Sequence, residues 1–122
     1  MKLIIAGGRE FKRYSIVIDA LAKILKQYTI TETVSGCARG ADKLGERAAK
    51  YHGFTDDQII KFTADWDLYG PKKAGIIRNT EMADYVGEDG ILLAFWDGRS
   101  TGTKNMIDTM RYRRLPVIVI RY

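Results

Sequence analysis

Short apolar runs of strand type alternate along this chain with stretches whose apolar residues recur every three or four positions. Residues 2–6 form the first strand-type run. From Tyr14 to Tyr28, Ile16, Val17, Ala20, Leu21, Ile24, Leu25 and Tyr28 fall at helical spacing. Thr31 to Ser35 is β-branched and reads as a strand, and Lys43 to Tyr51 as a helix. Ile59 to Phe62 is a third strand, followed by a long connection from Thr63 to Lys73. Ala74 to Val86 is helical, Ile91 to Phe95 a continuous apolar strand, Lys104 to Arg114 helical, and Val117 to Ile120 a last strand. A βαβαβαβαβ order predicts one α/β domain over residues 1–122, with a five-stranded parallel sheet covered by helices on both faces. The expected strand order is 3-2-1-4-5.

Three of these strands run into glycine-bearing loops. Gly7-Gly8-Arg9 follows the first, Gly36-Cys37-Ala38-Arg39-Gly40-Ala41-Asp42 the second, and Asp97-Gly98-Arg99-Ser100-Thr101-Gly102-Thr103 the fourth. In an open α/β sheet the ligand crevice lies at the carboxyl ends of the strands, where strand order switches. Helix N-termini there present amide groups that favour anions, so the loops read as phosphate-binding. For any one of them alone, an ordinary capped turn explains the residues equally well. Their convergence on one site favours binding. Arg39 offers a forked, permanently charged donor, and Asp42 a cap within the first turn of the following helix. Trp66 and Tyr69 in the long connection are suited either to stacking on a ring or to anchoring the loop.

Composition narrows the choices. Lys and Arg number 20 against 15 Asp and Glu, a net charge of +5 that favours anionic partners, although the basic residues are dispersed. No apolar run approaches a membrane span and no signal-peptide pattern opens the chain, which leads to the expectation of a cytoplasmic protein. Cys37 is the only cysteine and His52 the only histidine, so no disulfide or structural zinc site can be built from them. Cys37 reads as a small packed residue, and His52 as a partner for the terminal carbonyls of its helix.

Five segments together resemble the SLOG superfamily, in particular its YspA/YpsA-related branch: Ala6 to Phe11, Val34 to Asp42, Ala64-Asp65-Trp66, Arg78-Asn79, and Phe95 to Thr103. The resemblance runs over essentially the whole chain. It implies a Rossmann-like three-layer domain that binds a nucleotide or nucleotide-derived ligand of phosphate or ADP-ribose type, as a sensor or sequestering domain. It also implies a homodimer or larger assembly. The LOG-type phosphoribohydrolases, which cleave nucleoside monophosphates at the N-glycosidic bond, share a signature that aligns with residues 97–106. There Gly102-Thr103 fits the phosphate-binding part and Arg78 the helix-borne arginine, but the catalytic glutamate falls on Met106, which cannot carry a proton. Asp65 and Asp97 are the candidate substitute carboxylates, and Arg78 is the remaining catalytic candidate. The DprA/Smf group, which binds single-stranded DNA, is similar over Ser35 to Asp42.

The reading drawn from residues and resemblance together is a nucleotide site with phosphate held by the loop amides at Gly7, Gly8, Gly36, Gly102 and Thr103, assisted by Ser35, Arg39 and the Thr103 side chain, and with Gly40, Gly98 and Ser100 as further ligand-binding candidates. Arg9, Arg78 and Asn79 would reach the ribose or a second phosphate, and Asp65 and Trp66 the base. No cofactor is required, and magnesium would come only with a phosphate ligand. N-glycosidic hydrolysis and single-stranded DNA binding are the alternatives.

Overall fold

The computed structural model describes all of residues 1–122. In chain order the elements are β1 (Lys2–Gly7), α1 (Tyr14–Gln27), β2 (Glu32–Ser35), α2 (Ala41–Tyr51), β3 (Ile59–Lys61), α3 (Trp66–Val86), β4 (Gly90–Trp96), α4 (Thr101–Tyr112) and β5 (Val117–Arg121). All five strands are parallel, in the order β3-β2-β1-β4-β5. The expected topology holds, and β1 and β4 flank the switch point.

Alternation along the central strands explains the layering, since successive side chains of a strand face opposite sides of the sheet. Leu3 and Ile5 of β1 join Ile91, Leu93 and Phe95 of β4 in a core with Val17, Leu21 and Ile24 of α1 and Ala41 and Ala48 of α2. Ile4 and Ala6 join Leu92 and Ala94 in a second core with Met82, Ala83 and Val86 of α3 and Met106, Ile107 and Met110 of α4. β4 is buried from Gly90 to Phe95, as a strand covered on both faces must be.

Most boundaries shift by one to three residues from the sequence expectation, α2 and α4 starting earlier at Ala41 and Thr101, and one larger difference shapes the site. The connection from Thr63 to Lys73 is not irregular throughout, because helical structure already begins at Trp66. Asp65 caps it, its side chain accepting from the Leu68 amide at 3.0 Å. Gly70 breaks the helix with φ 78 immediately before Pro71, so a short turn carrying Trp66 is set at an angle to the main part of α3. At the other end, α4 stops at Tyr112, and Arg114 adopts φ 61 beyond it. His52, expected to meet the terminal carbonyls of α2, instead places Nε2 3.2 Å from the Ile18 carbonyl of α1.

Candidate functional site

A cleft of about 510 Å³ opens at the carboxyl ends of β1 and β4. Its walls are the β1 loop (Gly7, Gly8, Arg9, Glu10), the start of α4 (Ser100, Thr101, Gly102, Thr103) and the kinked beginning of α3 (Trp66, Lys72, Gly75, Arg78, Asn79). Asp42 and Met106 reach its floor and Tyr122 closes one side.

The α4 end of the cleft is open for an anion. Asp97 folds its carboxylate back onto the amides of Arg99 and Ser100, both at 2.8 Å, which tightens the turn and holds that carboxyl below the usual range. The Trp96 indole donates to the Ser100 carbonyl at 3.0 Å, and the Ser100 hydroxyl caps the Thr103 amide at 3.4 Å. The amides of Thr101 and Gly102 donate to no group of the protein, and both residues are exposed. Asn79, only 3% exposed, fixes this turn from behind, donating to the Gly102 carbonyl at 3.2 Å and to Asn105 Oδ1 at 3.0 Å. A braced helix start with two unpaired amides is the kind of backbone geometry that favours an anion.

The corresponding turn before α2 is filled in part by the chain itself, and only the amides of Asp42 and Lys43 in the first turn of the helix donate to no group of the protein. Ser35 Oγ accepts from the Cys37 amide at 3.1 Å and donates to Glu46 at 2.6 Å. Asp42 Oδ2 accepts from the Ala38 amide at 3.1 Å, and the Ala41 amide donates to the Gly8 carbonyl at 3.1 Å. Gly40 sits at φ 80, where a Cβ would collide with the carbonyl oxygens of Gly8 and Arg9. Those carbonyls close over the start of the helix. Cys37 takes φ 63 in this turn and is partly exposed, and burial pushes its thiol pKa up, which disfavours the thiolate.

Between the two turns lie Asp42 and Arg78. Asp42 is 4% exposed, and burial raises its carboxyl to about pKa 6 against the opposing pull of the Ala38 amide and the Arg78 charge. Arg78 is half-buried, and burial lowers its pKa. It donates through Nη1 to the Gly36 carbonyl at 3.1 Å, and Nη2 lies 3.4 Å from Asn79 Oδ1, while its Nε is buried without a partner. A Cβ on Gly36 would lie 2.9 Å from both Arg78 Nε and Asp42 Oδ2, so only glycine lets these two groups approach each other over the turn. Arg9 lies over the Trp66 ring, 5.5 Å from its centroid, with the ring 43% exposed.

Of the residues singled out in the sequence, the cleft gathers Gly7, Gly8, Arg9, Trp66, Arg78, Asn79, Asp97, Ser100, Gly102 and Thr103. It does not gather the others. Arg39 turns to the surface, 2.6 Å from Glu10 in an ion pair exposed on both sides. Ser35, Gly36 and Gly40 build the α2 turn, Asp65 is spent as the α3 cap, and Gly98 packs under Arg121. Sequence reasoning gave Asp42 only a capping role and passed over Lys72 and Tyr122. A small acid beside a glycine loop was the available signal for the first; Tyr122 reaches the cleft only through the fold, by packing its ring against Phe11. No three His, Cys, Asp or Glu side chains come together as a metal-binding group.

Sheet order, switch-point cleft and open helix start define an α/β protein of Rossmann-like type. A family model described as the YspA, cpYpsA-related SLOG family matches residues 1–69, and the chain belongs to that family. Membership suggests a nucleotide-related function. No curated protein and no solved structure matches the chain. No helix is long and apolar enough to cross a membrane.

Proposed function

We propose that the cleft binds a nucleotide or nucleotide-derived ligand, with its phosphate on the α4 start, and that the protein acts by sensing or sequestering that ligand. The observation that carries this reading is the pair of unoccupied amides at Thr101 and Gly102, backed by the buried Asn79 brace. Arg78 and Lys72 line the same cleft and supply positive charge, and the exposed Trp66 face offers a stacking surface for a base. The Thr103 hydroxyl and the Arg9 guanidinium are the remaining donors at its edge. A magnesium ion would arrive with the ligand phosphates, and a second copy of the chain remains the expected partner. Calorimetric titration with AMP, GMP, CMP and UMP beside the matching nucleosides tests the reading. At least one monophosphate should bind, and its nucleoside should bind at least about tenfold more weakly, a difference of about 1.4 kcal/mol. Equal affinity of nucleoside and monophosphate removes the phosphate from the account.

A second reading, N-glycosidic hydrolysis, is favoured by Asp42. Met106 occupies the position of the LOG-type glutamate, Asp65 is bound up as a helix cap, and Asp97 stays ionised. Asp42 lines the cleft floor with a carboxyl near pKa 6, a group that can carry a proton close to neutrality. In that reaction water adds across the ribose–base bond. Asp42 would give its proton to the departing base nitrogen and regain one from the water. Release of free base from the bound monophosphate, absent in Asp42→Asn, separates the enzyme from the sensor.

A further inference from the structure

Beside the cleft lies a second groove of about 480 Å³, bounded by the Gly36–Arg39 turn and by Thr63, Ala64 and Trp66. Arg9, Ala38, Trp66 and Arg78 line both spaces, so the Arg9–Trp66 pair forms a low partition between them rather than an outer wall. The charges differ on the two sides. Glu10, Asp42 and Asp97 line the cleft together with its cations. The groove is lined by Arg9, Arg39 and Arg78 and by no carboxylate. Arg9 has no acidic partner within ion-pair distance, and Arg78 keeps a buried Nε without an acceptor at the boundary of the two spaces. Either volume is within the range of a small-molecule pocket. One phosphate on Thr101 and Gly102 leaves Arg9 and the Arg78 Nε without an anionic partner, and a second anionic group next to the first would meet both.

We propose that the ligand has two nucleoside halves joined through a diphosphate, one half in the cleft and the other in the arginine-lined groove, with the diphosphate crossing over Arg9 and Trp66. This rests on the reading of the cleft as a nucleotide site. The arginines are clustered at the partition with Asp42 beside Arg78 and Glu10 paired to Arg39, and so small a net positive patch suits a compact diphosphate better than a long polyanion. Trp66 and the guanidinium plane of Arg9 offer flat surfaces between the two halves.

The test is titration with AMP, with two adenosines joined 5′ to 5′ through a diphosphate, and with a short oligo-dA strand. Each probe is added to the wild type and to Thr63→Glu, which puts a carboxylate into the groove from an exposed position outside the cleft. The dinucleotide should bind at least about tenfold more tightly than AMP. Thr63→Glu should cancel that gain, leave AMP affinity unchanged and keep the wild-type melting temperature. Arg39→Gln should cancel part of the gain independently. If AMP binds and the dinucleotide binds no better, or the gain survives Thr63→Glu, the two-part ligand is wrong and the nucleotide site stands. If neither AMP nor the dinucleotide binds, the nucleotide reading itself has failed. If oligo-dA outcompetes the dinucleotide with a steep fall in added salt, the groove is part of a single-strand path and the proposal is overturned.

Discussion

The starts of α2 and α4 look alike in the sequence, each a strand running through glycines and hydroxyls into a helix, yet the chain fills them differently. At α2 the chain's own acceptors take three amides, Ser35 Oγ taking Cys37, Asp42 taking Ala38 and the Gly8 carbonyl taking Ala41, the first residue of the helix, while the amides of Asp42 and Lys43 donate to no group of the protein. At α4 the internal acceptors stop short, with Asp97 holding Arg99 and Ser100, Ser100 holding Thr103, and nothing holding Thr101 or Gly102. An anion is favoured at a helix start only when amides are free to meet it. The nearest internal carboxylate lies differently at the two starts: Asp42 enters its turn from inside the helix, below the carbonyls of Gly8 and Arg9, and Asp97 closes its turn from outside.

The largest expected effect separates the two turns by pH. Folding raises Asp42 from pKa 3.8 to about 6, so the folded chain holds that proton more readily than the unfolded chain does. The stabilisation is complete below about pH 4 and disappears as pH rises through about 6, amounting to about 3 kcal/mol. Denaturant unfolding of the wild type and Asp42→Asn at pH 4 and pH 7 should therefore show the wild type losing about 2 kcal/mol relative to the variant, because the unfolded carboxyl is already partly ionised at pH 4. A constant difference between the two would mean that the carboxylate filling the α2 turn is not desolvated.

Thr101→Pro cuts the other turn. Thr101 is the first residue of α4, and Ser100 before it has φ −55 and ψ 118, a conformation that a residue preceding proline accepts. The change deletes one unoccupied amide at little cost to the fold. Nucleotide binding should weaken by about 2 kcal/mol, on the order of thirtyfold, with unfolding free energy within about 0.5 kcal/mol of wild type. Ser100→Ala is milder. It removes the α4 cap and should cost about 1 kcal/mol of stability by denaturant unfolding, with a matching loss of order at the phosphate end of the cleft. Arg39→Ala has the smallest expectation. Its ion pair with Glu10 is exposed on both sides, so stability should change by less than about 0.5 kcal/mol and mononucleotide affinity should not change.

Much of this was legible in the sequence, for reasons that vary from residue to residue. Strand order and layering follow from the alternation of Leu3, Ile4, Ile5 and Ala6 and from the apolar run Ile91 to Phe95, because burial on both faces leaves little choice of register. Gly7, Gly8, Arg78, Asn79, Gly102 and Thr103 are brought to the cleft because they lie at or just beyond strand ends, or on the helix that packs there. Arg39 was not legible. Its partner Glu10 belongs to a different loop, and local pattern does not report pairing between loops. Asp42 was half legible, since its place in the first helical turn is sequence-local but its burial depends on β1 and α3 closing over it. The kink at Gly70-Pro71 hid the helical turn that presents Trp66, because a Gly-Pro pair reads as a loop when the cap at Asp65 is not weighed.

The most direct test is a two-dimensional amide NMR titration of the wild-type chain with a nucleoside monophosphate that binds. The account predicts that the largest shifts fall on the amides of Thr101 and Gly102, with Cys37, Ala38 and Ala41 nearly still. If the α2 turn moves and the α4 start does not, Asp42 gives way to the ligand and the anion site has been placed on the wrong helix.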